Sequence, residues 1–164
     1  MTSSCGRLVI CYNGEIYNAA EVRNELEAVG RSLRSTSDTE VLVEACAQWG
    51  VIEAAKKVIG MFAFAVWDRE RRQLFLVRDR LGIKPLYVGR VAGEVLFASE
   101  LKPIMAAAKQ RPEIDRNALC AFMRHGYVPA PHSVFQGIEK LEPGVVRIVE
   151  RSGTWNDTRF WSLD

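Results

Sequence analysis

Asn13, Gly14 and Glu15 directly follow an apolar run that reads RLVICY. That run is typical of a buried strand over residues 7–12, so the three residues are expected where the strand ends. Asn-Gly is a frequent turn dipeptide, because both residues tolerate the backbone angles of tight turns. The same pair can also offer an amide side chain and an accessible backbone N–H to a substrate. Local chemistry leaves both interpretations open.

Asp38 is the second candidate, in the sequence SDTE at the start of a predicted helix. Ser37 is predicted to cap this helix, and Glu40 to complete a capping box with it. A carboxylate at this position can hold an ammonium group through a charge-assisted hydrogen bond. It is also favourable beside a helix N-terminus without any ligand, because of the helix dipole.

The cysteines and histidines offer little for metal chemistry. The four cysteines, Cys5, Cys11, Cys46 and Cys120, form no Cys-x-x-Cys pair, and only His125 and His132 accompany them. A zinc site is therefore not expected, and both histidines are predicted in surface or core positions rather than in catalysis. Cys11 and Cys46 lie in apolar patterns and are predicted as small core residues.

Composition excludes several classes of function. The chain has 164 residues, of which 48% are hydrophobic and 26% charged, which allows one domain with a substantial core. A formal net charge of +2 does not indicate binding to nucleic acid or to an anionic membrane. No apolar run is long enough to span a bilayer, and the N-terminus lacks the order of a signal peptide. We expect a cytoplasmic protein.

Helices and strands occur in blocks. Helices are predicted at about 19–29, 38–49, 51–59, 101–108 and 117–125, with Asn18 and Glu21 as a capping box for the first and Asp115 capping the last. Strands are predicted at MFAFAVWD, RQLFLVRD, KPLYVGR and GEVLFASE, and a last one at residues 145–149. The alternation Phe-Ala-Phe-Ala at 62–65 suits a strand buried on both faces. This order favours an α+β domain over a Rossmann fold, and no Gly-rich phosphate loop is present.

Six segments occur in an order that is similar to a known family. They read YNGEIYN, SDTE, GMFAFAVWD, RDRLGIKPLY, FASELKPI and the passage from YVPAP to GIEKLEPG. Together they resemble the glutaminase domain of class II glutamine amidotransferases, of the glutamine-hydrolysing asparagine synthetase type. The resemblance covers residues 1–161, a partial amidotransferase domain, and residues 162–164 would begin the linker to a synthetase domain.

The resemblance implies an N-terminal-nucleophile fold, an α-β-β-α sandwich with two antiparallel sheets between helical layers. It implies attack of an N-terminal cysteine on the side-chain amide of L-glutamine, with ammonia passing to the synthetase domain. Asn13 and Gly14 match the family's oxyanion hole, where glycine would leave room for the substrate. Glu15 and Asp38 match positions that hold the amino-acid end of glutamine, Asp38 through the α-ammonium.

Two charged pairs outside these motif positions have other expected roles. Arg78 and Asp79, in RDRLGIKPLY, are predicted to form a structural ion pair with their turn. By the resemblance, Glu100 and Lys102 would lie on the side facing the synthetase domain. For them, an interface or channel role and simple packing at a helix start remain open.

By the same resemblance, the chain is expected to be incomplete at both ends. The family's nucleophile follows the initiator methionine, and an arginine in a later segment binds the glutamine carboxylate; this sequence has neither. Four residues precede Cys5, so its amine lies in a peptide bond and we do not expect it to be the nucleophile. No pyrophosphate-binding Ser-Gly-Gly-x-Asp-Ser segment is present, so ATP and magnesium are expected only in a synthetase domain, and no cofactor or metal in this chain.

Two functions follow from these observations. The first is the ammonia-supplying glutaminase portion of an asparagine-synthetase-like enzyme, with this chain alone inactive for lack of the nucleophile. The alternative is a non-catalytic, glutamine-binding or regulatory module that acts with a separate synthetase chain. Loss of the first strands would also leave an exposed sheet edge, and hence favour association of two copies.

Overall fold

The computed structural model describes residues 1–163, in which it contains eight strands and five helices. In chain order they are β1 (Leu8–Ile16), α1 (Ala19–Ala28), α2 (Asp38–Trp49), α3 (Val51–Lys57), β2 (Gly60–Asp68), β3 (Gln73–Arg78), β4 (Tyr87–Val91), β5 (Glu94–Ala98), α4 (Leu101–Ala107), α5 (Arg116–His125), β6 (Ile138–Lys140), β7 (Val145–Val149) and β8 (Trp155–Arg159). Every strand pairing is antiparallel. The predicted α+β class with two antiparallel sheets is confirmed.

The chain forms two compact units. The first comprises Met1–Lys84 and the segment that begins at Pro143, and the second comprises Pro85–Glu142. The predicted linker start at 162–164 reaches Asp164, which lies outside the described residues.

The first unit contains a five-stranded sheet with the order β1-β2-β3-β7-β8. Helices α1–α3 pack on one face of it, where Leu26 and Leu42 meet Phe62 and Phe64 with almost no exposed surface. Burying each of these side chains contributes about 1.5–3 kcal/mol to folding. All residues from 62 to 65 are buried, as predicted for a strand covered on both faces.

Strand β1 is longer than predicted and contains the Asn-Gly-Glu motif. Asn13 pairs with Ala63, Gly14 with Phe62 and Glu15 with Met61, all in register with β2. The interpretation of Asn-Gly as a turn is therefore wrong. Pairing with β2 continues without interruption to Ile16.

The prediction of a buried Cys11 is also wrong. Along β1 buried and exposed positions alternate, with Leu8, Ile10 and Ile16 buried and Cys11 exposed. Successive side chains of a strand point to opposite faces. Because Ile10 faces the helices, Cys11 points away from them. Cys46, on α2, is buried as predicted.

Strand β1 lies at an edge of its sheet, and the chain's first residues cover part of that edge. The Ile10 N–H donates to the carbonyl of Met1 at 2.8 Å, and the Met1 amino group donates to the Ile10 carbonyl at 2.9 Å. Backbone groups of alternate residues point to the same side of a strand. Tyr12, Gly14 and Ile16 therefore direct their N–H groups to this same edge, beyond the covered part.

Neither of the two predicted capping boxes forms. Asn18 precedes α1 but makes no side-chain cap; it donates to the Lys57 carbonyl at 3.0 Å and accepts from the Ile59 N–H at 2.8 Å. These two bonds join the two helix–strand junctions, and α3 ends at Lys57 rather than at the predicted Ile59. The Asn18 amide is therefore engaged across the unit and is not available to the first turn of α1.

Ser37 caps α2 as predicted, accepting the Thr39 N–H at 3.2 Å. Glu40, however, does not accept the backbone N–H of Ser37, as a capping box requires. Its carboxylate accepts the N–H groups of Arg34 and Ser35 at 2.8 and 2.7 Å, because the loop before the helix bends back over it. Burial raises the pKa of Glu40, but these bonds outweigh burial and hold it below its usual range.

The second unit contains a three-stranded sheet with the order β5-β4-β6 and helices α4 and α5. Its small core includes Val91, Ile104 and Ile138. Asp115 caps α5, as predicted, by accepting the N–H groups of Asn117 and Ala118 at 2.9 and 3.1 Å.

The strand predicted at residues 145–149 is confirmed as β7, but it is not the last strand, since β8 follows it and pairs with it. Its sequence, WNDTR, is mostly polar because β8 is an edge strand. Arg147 fixes it in place, with a 2.6 Å ion pair to Asp157 and a guanidinium 4.9 Å from the ring of Trp155.

Candidate functional site

Asp38 is joined to β1 by two hydrogen bonds. Its Oδ2 accepts the Tyr12 hydroxyl at 2.8 Å and the Ile16 N–H at 3.2 Å. Asp38 is the first residue of α2, so its charge also lies beside the positive end of that helix. The structure therefore brings this carboxylate, 22 residues away in sequence from Ile16, to the open edge of β1.

The Gly14 N–H lies on the same edge, two residues before Ile16. Two residues of strand span about 7 Å, which sets the spacing of these two N–H groups. One of them is occupied by Asp38, and the other faces outward between Tyr12 and Ile16. The edge thus combines a backbone donor and a carboxylate at a separation that suits a small bifunctional molecule.

Glycine at position 14 is required by the neighbouring strand. A Cβ on Gly14 would lie 2.7 Å from the Cα of Phe62 and would overlap the carbonyl oxygen of Met61. The expectation that glycine leaves room for a substrate is thus incomplete, because β2 itself occupies the space where the side chain would be. The close approach of β1 and β2 excludes every other residue without a backbone shift.

Asn13 and Glu15 are exposed, on the face of β1 opposite to the helices. Tyr12, in contrast, packs against the helix-covered core and meets Asp38 there. The two predicted carboxylates, Glu15 and Asp38, therefore approach the Gly14 position from opposite sides of the strand.

Tyr12 is a residue of this site that sequence reasoning missed. Burial and the hydrogen bond to Asp38 raise the pKa of Tyr12 well above its ordinary value, and the charge of Glu15 contributes in the same direction. The hydroxyl is thus a permanent donor to the carboxylate. The alternation of β1 could have placed Tyr12 on the helix side, but its partner could not be identified without the packing of α2.

Cys5 lies far from this edge. It belongs to the tight turn at residues 3–6, which precedes Leu8 at the other end of β1. Six residues of strand separate Leu8 from Gly14, or about 20 Å. A hydrogen bond with Ser3 at 3.3 Å and the N–H of Arg7 lower the pKa of the exposed Cys5 thiol, but the thiol is not placed to attack a group held at Gly14.

Asp79 and Arg78 serve their own turn, as predicted, although the contacts observed are with backbone groups. The buried Asp79 carboxylate accepts four N–H groups, from Phe62, Leu81, Ile83 and Lys84, at 2.9–3.2 Å. Arg78 donates to the carbonyls of Lys84 and Gly82 at 2.9 and 2.8 Å. Both are therefore structural residues.

The remaining candidates lie in the second unit. His125 and His132 are exposed, and so are Glu100 and Lys102 at the start of α4. Within residues 1–163, no three His, Cys, Asp or Glu side chains are clustered as metal ligands. In the same range no helix has the length and apolar character needed to cross a bilayer.

Comparison with known proteins gives a consistent match. The family described as glutamine amidotransferase domain matches residues 1–161. The chain is 37% identical to asparagine synthetase (glutamine-hydrolyzing) 3 of Bacillus subtilis, over 94% of this chain and 25% of that protein. It is 44% identical to asparagine synthetase (glutamine-hydrolyzing) 1 of the same organism, over 82% of this chain and 21% of that protein. The chain thus spans about a quarter of the length of these curated relatives.

Solved structures share the fold. The glutamine phosphoribosylpyrophosphate amidotransferase of B. subtilis, complexed with ADP and GMP, superposes with a TM-score of 0.65 at 23% identity, over 98% of this chain and 31% of that chain. A structure described as the allosteric regulatory enzyme of purine biosynthesis also gives 0.65, at 24% identity, over 94% of this chain and 28% of that chain. At such identities the likeness establishes the fold alone.

Proposed function

Because the chain belongs to the glutamine amidotransferase domain family, we propose that it is the glutaminase portion of an asparagine-synthetase-like amidotransferase. The observation that carries this proposal is the placement of the Gly14 N–H and the Asp38 carboxylate on one edge of β1. The molecule proposed to bind there is L-glutamine, which has a neutral amide at one end and an α-ammonium at the other.

The spacing of the two groups supports this ligand. In glutamine four bonds separate the amide carbon from the α-nitrogen, about 5 Å when the chain is extended. The N–H groups of Gly14 and Ile16 are about 7 Å apart along the strand, and Asp38 already occupies the second. The amide oxygen can then accept from Gly14 while the ammonium reaches Asp38.

Asn13 and Gly14 are proposed to stabilise the oxyanion of the reaction. In the reaction expected for the family, the thiolate of an N-terminal cysteine, which is not among residues 1–163, adds to the amide carbon; a C–S bond forms and the carbonyl π electrons move to oxygen. Donors fixed at that oxygen lower the barrier because they need no reorganisation. When the tetrahedral species collapses, the C–N bond breaks, the leaving nitrogen takes up the proton that the thiol lost and departs as ammonia, and a thioester remains for water to hydrolyse.

Asp38 and Glu15 are proposed to select the amino-acid end of glutamine. An ammonium beside a carboxylate forms a charge-assisted hydrogen bond, about twice as strong as a neutral one. Asp38 is held at the edge in one orientation, which favours the α-ammonium over ligands that lack it. Glu15, on the other face of β1, is proposed to contact the same amino-acid end of glutamine.

A second candidate function is a glutamine-binding module without catalysis, acting with a separate synthetase chain. The position of Cys5, about 20 Å of strand away from Gly14, favours this candidate for the residues described here. Release of glutamate from glutamine by the purified chain distinguishes the two, since the module binds glutamine without turnover.

Partners and compartment follow as part of the same proposal. The relatives are about four times longer, which supports a synthetase partner with ATP and magnesium outside this chain. Four free cysteines support a reducing, cytoplasmic compartment. The open edge of β1 supports association of two copies where no ligand or partner covers it.

Calorimetry with L-glutamine tests the proposed function. We expect saturable binding that weakens at least tenfold in Asp38→Asn, which keeps the acceptor for Tyr12 and Ile16 but removes the charge. Glu21→Gln is the matched control, because Glu21 is an exposed acid in the first turn of α1. Equal effects of the two substitutions, or no binding by the unsubstituted chain, would contradict the proposal.

A further inference from the structure

The Asp38 carboxylate is held by one of its oxygens only. Both hydrogen bonds, from the Tyr12 hydroxyl and the Ile16 N–H, converge on Oδ2. Among residues 1–163 no donor bonds to Oδ1. An ionised carboxylate offers about four acceptor positions, so the free oxygen retains its capacity for a cationic ligand.

The two donors come from positions that bracket Gly14 on β1. Tyr12 lies two residues before Gly14 and Ile16 two residues after it, and all three share the helix-facing parity of the strand. A single carboxylate oxygen thus connects α2 to both sides of the Gly14 N–H. Any shift of α2 along the edge would break one of these two bonds.

The Ile16 N–H alone would leave the carboxylate free to rotate. One hydrogen bond fixes a point, whereas a second donor at 2.8 Å fixes the plane of the carboxylate as well. The Tyr12 hydroxyl remains protonated wherever an α-amine is charged, because its pKa lies well above its ordinary value. It therefore donates to Asp38 throughout the range in which an ammonium ligand exists.

We propose that Tyr12 is a positioning residue that orients Asp38 so that Oδ1 faces the α-ammonium of the ligand. The inference rests on the proposed glutamine site and adds the determinant of its selectivity for an α-amine. Tyr12 itself does not contact the ligand, so its loss affects only the ammonium end. The amide end, at Gly14, is unchanged.

A pair of ligands separates this role from a structural one. L-glutamine carries the α-amine, and 4-carbamoylbutanoate is the same molecule without it. Tyr12→Phe removes one oxygen atom and keeps the ring in the core. Affinities are measured for both ligands by chemical-shift titration, which reaches millimolar dissociation constants. Tyr17→Phe is the control, since Tyr17 belongs to the same motif and is exposed.

We expect Tyr12→Phe to weaken the binding of L-glutamine about fivefold and to change the affinity for 4-carbamoylbutanoate less than twofold. In an Asp38→Asn background, the same substitution is expected to have no further effect on the ratio of the two affinities. An equal loss for both ligands, or no loss for either, would overturn the inference while leaving the glutamine site intact. Absence of glutamine binding by the unsubstituted chain would instead overturn the proposed function and the inference with it.

Discussion

The Ile16 N–H donates to Oδ2 of Asp38 at 3.2 Å, and this contact joins the first turn of α2 to the edge strand that carries Gly14. Asp38 follows the serine that caps α2, where a carboxylate is favourable through the helix dipole alone. The contact with β1 gives the residue a second role, because it places the charge beside an outward-facing backbone N–H. Sequence position and tertiary packing together make the edge a candidate ligand site.

Gly14→Ala is expected to destabilise the protein by about 2 kcal/mol, because the added Cβ overlaps the β2 backbone at Met61 and Phe62. Urea unfolding followed by circular dichroism measures the change. Cys11→Ala is the control on the same strand: Cys11 is exposed, so its free energy of unfolding should change by no more than about 0.5 kcal/mol. A larger effect of the cysteine substitution would contradict the assigned orientation of β1.

Asp79→Ala is expected to lower the free energy of unfolding by about 3 kcal/mol or more, since it leaves four backbone N–H groups without their acceptor. Asp79→Asn should give an intermediate free energy of unfolding. The four N–H groups bond to two carboxylate oxygens in the unsubstituted protein, whereas an amide has only one oxygen to accept them. The urea midpoints of both variants give the order. Glu113→Ala, at an exposed acid, serves as control, and an Asp79→Ala protein as stable as that control would refute the structural role.

Acid stability is expected to depend on Asp68. Burial raises the pKa of Asp68, but the hydrogen bonds from Arg7, the closest at 2.5 Å, and from two backbone N–H groups outweigh burial and hold it below its usual value. A carboxyl whose pKa is lower in the folded state stabilises the fold fully above the unfolded-state value of about 4. That stabilisation is lost as the pH falls through the folded-state value.

The unsubstituted protein should therefore lose stability more steeply than Asp68→Asn as the pH is lowered below about 4. The comparison uses the slope of unfolding free energy against pH, so the lower baseline of the variant does not matter. Glu27→Gln, at an exposed carboxylate without side-chain bonds, should run parallel to the unsubstituted protein. Parallel curves for Asp68→Asn as well would show that this ion pair carries no proton linkage.

Sequence patterns predict the parts of the fold that depend on neighbours in the chain. The Asp115 cap and the doubly buried β2 follow from local chemistry and alternation, and both are present. Cys11 was misplaced because an unbroken apolar run conceals the alternation of a half-exposed strand. β8 was missed because an edge strand tolerates polar residues on both faces.

The candidate site shows the same division. The Asn-Gly-Glu motif identifies the strand, but the edge to which the Gly14 N–H points depends on its pairing with β2. The Tyr12–Asp38 contact joins residues 26 positions apart. No local pattern encodes it, because it arises from the packing of α2 against β1.

One ligand is proposed to bridge the Gly14 N–H and the Asp38 carboxylate. Titration of the ¹⁵N-labelled chain with L-glutamine, followed through its backbone amide signals, tests this most directly. We expect the Gly14 and Ile16 signals to move saturably with one shared dissociation constant, and Asp38→Asn to weaken both movements together. Saturable binding that leaves the Gly14 signal in place, or the absence of any shift up to the solubility limit of glutamine, would contradict it.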